Sequence, residues 1–363
     1  MNILILDSRL SQVSLLSGFV SLRWNRQFSA QGGFEITANM NTLNAGELRV
    51  GRIIYLDPER AGIIESVEIT RETNQSGELV TATGIELKDL IKRRITVPPA
   101  GFENEEYLGQ GTEAIIRGLL SNHVVDPTDP LRKIDLFMLG PVNGVGGLRD
   151  FSTRYKPLED EIYGLLQESQ LGLVCTVDLE ARKAVLEVKR GRDRTIGQTQ
   201  NPAAVFSLKL GTASRTVVLR DRQAMRNMAY VGGEGEGAER VILALPESPA
   251  AGIERREFFV DASDAATPEE LAARGSTKLA EMGQCYTVEG AASNALLEYA
   301  LGDIVSVADH TTGDYENMQI TGITDTYAGT AAPQRSIVFG RPAMDIAQAV
   351  KFRMSGINNL LTR

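Results

Sequence analysis

Residues 21–41 read SLRWNRQFSAQGGFEITANMN, and this stretch decides the fold that we predict for the chain. Apolar and polar residues alternate on both sides of Gly32 and Gly33, and the apolar set includes Trp24, the single Trp of the sequence. A period of two on each side of a Gly-Gly loop predicts a β-hairpin with one buried and one solvated face. We expect the two glycines to supply the positive φ angles of the loop. Because a lone hairpin is only marginally stable, more strands must complete a sheet or barrel.

The pattern outside this hairpin predicts a β-rich α+β protein with several domains. Short alternating runs fill the first 84 residues and are spaced as in a small sandwich or barrel. We divide the chain into a first β-barrel or sandwich domain over residues 1–97, an α+β domain over residues 98–200, a discontinuous second β domain over residues 201–250 and 284–341, a helical insertion over residues 251–283, and a C-terminal amphipathic helix over residues 342–363.

Five stretches have the period of amphipathic helices. In the clearest of them, Pro157 stands near the start, acids fill the first turn, and Leu158, Ile162 and Leu165 share one face. The predicted helices cover residues 84–94, 112–121, 156–169, 267–282 and 344–361. After residue 170 we expect strands at 172–177, 184–189, 205–208, 215–219, 227–231, 240–245, 296–299, 303–308, 319–324 and 336–339, with a further strand at Tyr286.

Composition and charge exclude several classes of protein. The chain has 363 residues, 42% of them hydrophobic, which is enough for packed cores and argues against disorder. Its net charge of -9 argues against a duplex-binding module, which presents a basic face. No apolar run reaches the roughly 18 residues of a membrane span, and MNILILDSRL lacks the basic start of a signal peptide. We therefore expect that the protein is synthesised in the cytoplasm and does not insert into a membrane. We expect Cys175 and Cys285 to be buried thiols rather than a disulfide.

The residues that carry catalytic chemistry elsewhere form no recognisable constellation here. The only histidines are His123, which we interpret as a helix end, and His310, which we place in a polar hairpin tip over residues 309–314. The acids Glu103, Glu105 and Glu106 are interpreted as a solvated loop. The loop over residues 232–237 contains two Glu and precedes a strand, so we reject it as a phosphate loop. The basic run over residues 189–194 is interpreted as a solvated turn or an interface salt-bridge cluster. We assign no catalytic, cofactor-binding or metal-binding residue and no cofactor.

Several stretches together are similar to one known family. They are SLRWNRQFSAQGGFEI, GIELKDLIKRRIT, KPLEDEIYGLLQESQLGLVC, EVKRGRDRT, NMAYVGGEGEGAERV, RREFFVDASD, LGDIVSVADH, QITGITDTY and IVFGRP, in that order over residues 15–342. In this order they resemble the tail-hub, or baseplate-hub, proteins of long-tailed bacteriophages, also called tail-associated or minor tail proteins. Larger relatives carry a long C-terminal extension, often with a peptidoglycan-cleaving domain. Here the sequence ends soon after Gly340, so we expect no lytic activity.

The resemblance implies a structural role at the distal tail tip of a virion, without enzymatic activity. Each chain would contribute two tail-tube-like β domains, residues 1–97 and the second β block, together with α/β decorations. Three chains would then close a ring that adapts the six-fold tail tube to a three-fold tip. The implied partners are distal tail and tail-tube proteins on one side and tip, fibre or lysin proteins on the other. The tape-measure protein and DNA would pass transiently through the channel, with no stable nucleic-acid binding.

Two hypotheses follow from a homotrimer, and two other functions remain open. A trimer would carry a formal charge of about -27, three times that of one chain, and an acidic lumen would let DNA slide. The helix over residues 344–361 would dock on a neighbouring tail protein or seal its own subunit. The alternatives are a tail-associated cell-wall hydrolase, which needs a carboxylate or His constellation in a cleft, and a carbohydrate-binding module for host adsorption, which needs clustered exposed aromatics.

Overall fold

A computed structural model of the protein consists mainly of β-strands, with three α-helices in the part of the chain that it describes. That part comprises residues 2–71, 77–222, 225–235, 237–263, 267–282, 285–292, 297–308, 315–329 and 332–340. The strands are β1 Asn2–Leu6, β2 Gln12–Ser17, β3 Ser21–Gln27, β4 Gly33–Asn39, β5 Ile53–Asp57, β6 Arg60–Arg71, β7 Glu78–Glu86, β8 Glu105–Gly111, β9 Phe137–Leu139, β10 Leu148–Thr153, β11 Leu171–Asp178, β12 Lys183–Arg190, β13 Asp193–Arg194, β14 Val205–Phe206, β15 Ala213–Asp221, β16 Met228–Gly232, β17 Ile242–Leu245, β18 Glu257–Asp261, β19 Cys285–Ala292, β20 Ile304–Ala308, β21 Tyr315–Ala328 and β22 Gln334–Gly340. The helices are α1 Thr112–Leu120, α2 Leu158–Glu168 and α3 Pro268–Glu281.

The predicted hairpin is confirmed as β3 and β4, which pair antiparallel. Trp24 stands opposite Phe34, and the two rings stack with their centroids 4.8 Å apart in a fully buried core. The expected backbone of the loop was wrong, because neither Gly32 nor Gly33 has a positive φ. Glycine is needed for space instead, since a Cβ on Gly33 would lie 2.7 Å from the carbonyl oxygen of Gly84 on β7.

One sheet joins strands from both ends of the chain. It lies in the first of two compact units, which comprises Met1–Thr216 and Glu289–Phe339, and its strands run in the order β22-β21-β3-β4-β7-β6-β5-β1-β2. Strand β20 also pairs with β21, and β13 and β14 pair with β20. The junction is the antiparallel pairing of β21 with β3, which sets Trp24 opposite Asp325. The first and last β regions of the sequence therefore share a sheet.

The α+β region of the first unit agrees with most of the sequence-based predictions. Helices α1 and α2 and the antiparallel strands β11 and β12 lie within two residues of their predicted bounds. A parallel third strand, β9, joins β12, and β8 pairs with β10. Apolar side chains of both helices and of β11 and β12 form one buried core with side chains from the ends of β5, β6 and β7. This core fixes the α+β region against the large sheet.

The predicted helix over residues 84–94 was wrong in type. Strand β7 continues to Glu86 because Gly84 and Ile85 pair with β4 and β6, and a 3-10 helix, Leu87–Arg93, follows. Pairing on both sides of the strand overrides the local helical period. Strand β2 was not predicted, and residues 297–299, expected in a strand, are not in one. The predicted terminal helix over residues 344–361 and the tip containing His310 lie outside the described residues.

The second unit comprises Val217–Val288 and Gly340–Arg363. Its sheet has the order β17-β16-β18, and α3 contributes Leu271 to a small core with Ala229, Val231 and Ala262. Strands β16 and β17, which we expected in the second tube-like domain, thus pair in a separate sheet. The rest of the five-part division stays a prediction.

Candidate functional site

A charged cavity of about 340 Å³ lies in the first unit. Its walls come from the β3–β4 hairpin, the end of β7, the β11–β12 hairpin and the turn before β20. The charged side chains that line it are Arg26, Glu59, Glu86, Lys88, Lys189, Arg190, Arg192, Arg194 and Asp303. Six of these are basic and three acidic, so the cavity is locally positive in a chain whose net charge is -9.

Two glycines let the apolar wall of the cavity close around Phe28. Gly172 is the second residue of β11, and Gly302, with φ of +95°, lies in the turn before β20. A Cβ on either glycine would lie 2.7 Å or less from a ring carbon of Phe28, which is fully buried. The backbone of three separate segments can therefore meet at one aromatic ring.

The cavity wall continues inward as a buried polar cluster at the end of β7. Glu86, Lys88 and Asp89 are 6%, 3% and 0% exposed. The Nζ atom of Lys88 lies 3.6 Å from Oε2 of Glu86 and donates to the carbonyl oxygen of Gln27. The indole Nε1 of Trp24 donates to Oε1 of Glu86 at 3.5 Å. The hairpin that carries Trp24 is thus held by hydrogen bonds as well as by its apolar face.

Asp89 has a strongly perturbed carboxyl group in this cluster. Its pKa is raised to about 7, chiefly by burial and with a smaller contribution from the carboxylate of Glu86, against the opposing charge of Lys88. Tyr163 donates to Oδ1 of Asp89, and the backbone N–H of Gly32 donates to Oδ2 at 2.9 Å. Burial also raises the pKa of Glu86. The cluster therefore holds a proton near neutral pH in a place where each carboxyl group already has a structural contact.

Arg26 lines the cavity and forms ion pairs with two carboxylates of the large sheet and its turns. Its side chain is 13% exposed and pairs with Glu59 at 3.2 Å and with Asp325 at 3.9 Å. Its Nε and the Oε2 atom of Glu86 are buried and have no hydrogen-bond partner among the described residues. The wall of the cavity thus contains one donor and one acceptor that are buried without a hydrogen bond in the described part of the chain.

The basic run over residues 189–194 contributes to this cavity in two ways. Arg194 is buried and pairs with Asp303 at 2.9 Å, while Lys189 pairs with Glu187 at 2.9 Å. Arg190 and Arg192 are exposed and have no carboxylate within 4.0 Å in the described part of the chain. Within one chain the run therefore combines ion pairs with exposed arginines, and the interface salt-bridge cluster stays a prediction.

A second buried cluster corrects our interpretation of the acids around residue 105. Glu105 was expected in a solvated loop, but it lies on β8, is 4% exposed and has Oε2 2.6 Å from Nε2 of His123. Its Oε1 accepts from the hydroxyl of Tyr107 at 2.7 Å and from Asn122 at 2.8 Å. Burial acts to raise the pKa of Glu105, but these hydrogen bonds outweigh it and the pKa is lowered. The alternation of Glu105, Glu106 and Tyr107 was the available sequence signal for a strand with Glu105 inside.

The charged side chains of both clusters contact other groups of the chain. No group of three or more His, Cys, Asp or Glu side chains suited to a metal ion occurs in the described segments. Free Cys175 lies in the cavity wall, and the side chain of Cys285 lies outside the described residues. In the loop after β16, Arg240 donates to the carbonyl oxygens of Gly232 and Gly233, so these groups already have a partner within the chain.

The fold is that of prophage tail proteins. The 43 kDa tail protein of prophage MuSo2 from Shewanella oneidensis has 11% identity and a TM-score of 0.61, with 94% of this chain and 99% of that chain covered. A tail protein from Neisseria meningitidis has 12% identity and a TM-score of 0.56, covering 93% and 96%. Prophage tail protein gp18 from Listeria monocytogenes has 10% identity and a TM-score of 0.55, covering 98% and 99%.

The chain belongs to the family of siphovirus ReqiPepy6 Gp37-like proteins, whose family model matches residues 2–341. It is accordingly a phage tail protein of the virion, which confirms the resemblance to tail proteins described above. None of the curated proteins matches the sequence. In the described residues, no helix is long and apolar enough to cross a membrane.

Proposed function

We propose that this tail protein is a non-enzymatic hub of the distal tail tip. Three copies close into a ring that continues the tail tube, and each copy contributes two tube-like β regions. Six similar β regions around one axis then adapt a six-fold tube to a three-fold tip, with a central channel for the genome. The neighbours are distal tail and tail-tube proteins on one side and tip, fibre or lysin proteins on the other, while tape-measure protein and DNA pass through transiently.

The observation that carries this proposal is the pairing of β3 with β21. Their register runs from Gly322 opposite Gln27 to Ala328 opposite Ser21, so the first and last β regions share a continuous hydrogen-bonded ladder. Two wedges of a ring must keep a fixed geometry, and a shared ladder provides it. Fold similarity to prophage tail proteins over nearly the whole chain is consistent with a place in the tail.

The free edge of β2 supplies a surface for ring closure. Strand β2 ends the order of the large sheet and pairs with β1 alone among the described strands. On it, Val13 and Leu15 are 39% and 38% exposed, and Val20 beyond it is 47% exposed. An exposed apolar edge strand is a template for pairing with another chain, and closed assembly removes it from solvent.

The size and symmetry of the purified protein test the proposal. We expect a species of three times 39.5 kDa in light scattering and a three-fold ring with a central channel in electron microscopy. Replacing Val13 and Leu15 by Lys should weaken the ring while leaving the monomer folded. The exposed pair Val142 and Leu148, at 70% and 81%, lies outside the sheet that contains β2 and provides a matched Lys control.

Three results would contradict the hub. The first is a monomer at every concentration, and the second is a closed particle without a channel. The third is release of soluble fragments from peptidoglycan by the purified chain, which would favour the hydrolase instead.

A further inference from the structure

A basic cleft of about 370 Å³ lies elsewhere in the first unit, beside the 3-10 helix Leu87–Arg93. Its lining consists of Lys92, Arg93, Arg94, Ile95, Leu131 and Arg132. Four of the six side chains are cationic, and none is acidic. The cleft therefore has an unbalanced positive charge in an acidic protein.

The two central guanidinium groups are held in place by backbone acceptors. Nε of Arg94 donates to the carbonyl oxygen of Arg132 at 2.8 Å, and Nη2 of Arg132 donates to the carbonyl oxygen of Ile95 at 2.6 Å. Neither arginine has a carboxylate within 4.0 Å in the described part of the chain, whereas Arg93 pairs with Glu65 at 2.6 Å. Nη1 of Arg94 also donates to the carbonyl oxygen of Arg93 at 3.0 Å, and Nη1 of Arg132 lies 3.4 Å from Nδ1 of His123. The remaining N–H groups of the two arginines can donate to a carboxylate.

The like charges in the cleft oppose one another. Burial lowers the pKa of Arg94, and the charges of Arg132 and Arg93 lower it further. An anion bound between Arg94 and Arg132 would relieve this repulsion. The observed geometry and charge thus favour an acidic occupant.

Apolar residues at the rim narrow the class of occupant. Leu131 is 92% exposed and Ile95 is 46% exposed. A protein segment with both acidic and apolar side chains covers such a rim, whereas a phosphate backbone leaves the leucine in water. A chain with 47 acidic against 38 basic residues offers many carboxylates to a neighbouring copy of itself.

We infer that the cleft between Arg94 and Arg132 binds carboxylates of an acidic segment from a second copy of this chain. The inference rests on the proposed ring and assigns one of its polar contacts. It makes ring stability depend on salt, because the ion pairs at the rim are screened as ionic strength rises.

The test compares self-association of the full chain with and without these charges. In R94Q/R132Q, we expect the dissociation constant of the ring to rise at least about tenfold at low salt, as charge-assisted hydrogen bonds are lost. The wild-type ring should weaken as NaCl rises from about 0.05 to about 0.5 M, and the variant should respond less. The double variant R182Q/K209Q removes two exposed charges outside the cleft and outside the β1–β2 hairpin and should behave as wild type.

Fluorescence of the buried Trp24 during urea unfolding verifies that the variants are folded. Should R94Q/R132Q not fold, the single variant R94Q carries the test, because it leaves the contact between Arg132 and His123 in place. If the wild type forms a ring and R94Q/R132Q forms it equally well, the inference is overturned and the proposed hub function is unaffected. A monomeric wild type refutes the ring and the inference with it. If the wild type retains duplex DNA and R94Q/R132Q does not, while self-association is unchanged, the cleft binds nucleic acid and the inference is overturned.

Discussion

Arg60 donates from Nη1 to Oδ2 of Asp325 at 3.2 Å, although the two residues are 265 positions apart. The carboxylate of Asp325, 3% exposed, also accepts from Nη2 of Arg335 at 3.1 Å. The same Nη1 atom of Arg60 donates to the hydroxyl of Tyr327 at 2.6 Å. This network links the turn between β5 and β6 to β21, which is more than 250 positions later in the sequence. It reinforces the ladder between β3 and β21 with side-chain contacts.

Replacing Asp325 by Ala should lower the free energy of unfolding by about 3 kcal/mol. The cause is the loss of a buried carboxylate that pairs with Arg335 and is one of the two carboxylates that pair with Arg60, the other being Asp57. Urea unfolding followed by Trp24 fluorescence measures the change. As a control, Glu103→Ala removes an exposed pair with Arg154 and should cost less than about 1 kcal/mol. Equal effects of the two substitutions would contradict a structural role for Asp325.

The same substitution, Gly to Ala, should have opposite signs at two positions. At Gly84 a Cβ would lie 2.5 Å from ring carbons of Phe34 and would meet the carbonyl oxygen of Ile63, so we expect a loss of about 1–3 kcal/mol. At Gly164, inside α2, a Cβ meets no atom within 4 Å, and Ala should stabilise by about 0.5–1 kcal/mol. Thermal unfolding of both variants checks the signs. Stabilisation by Gly84→Ala would show that the hairpin packs differently.

Glu105→Gln should destabilise the protein by about 2 kcal/mol at neutral pH, because a buried charge-assisted contact with His123 is weakened. The lowered pKa of Glu105 means that its contribution is present above its unfolded value of about 4.3 and is lost as pH falls through the folded value. The difference between variant and wild type should therefore shrink below about pH 4. Urea unfolding across pH measures it, with the exposed neighbour Glu106→Gln as the matched control. If the difference in unfolding free energy between Glu105→Gln and the wild type does not depend on pH, the charge of Glu105 does not contribute to stability as we predict.

Asp89 gives a pH dependence of the opposite sign. With its pKa raised to about 7, the folded chain keeps a proton that the unfolded chain loses near pH 4, so its contribution to stability falls as pH rises between these values. Asp89→Asn should flatten this part of the stability curve, and Asp135→Asn, at a side chain 90% exposed, should leave it unchanged. The unfolding free energies of the wild type and both variants, measured at pH 5 and pH 8, test this prediction. An unchanged slope in Asp89→Asn would place the titrating group elsewhere.

Part of the fold was predictable because it depends on neighbours close in sequence. The alternation around Trp24 determined the β3–β4 hairpin, and helical periods determined α1, α2 and α3. The interpretation failed where tertiary pairing competes with local pattern, as at Gly84–Glu86, which remain in β7. It also failed at Glu105, where the neighbouring acids suggested a solvated loop, and its buried partner His123 lies 18 positions away in the sequence.

By itself, then, the sequence determined the β-rich class, the central hairpin and the similarity to tail proteins, since these depend on periodicity and on ordered short motifs. Only the tertiary structure decided that β3 pairs with β21, that Arg60 meets Asp325, and that the residues lining the charged cavity converge. Each of these contacts joins segments far apart in the chain. Their geometry is set by the packing of whole strands, and no local pattern of residues records it.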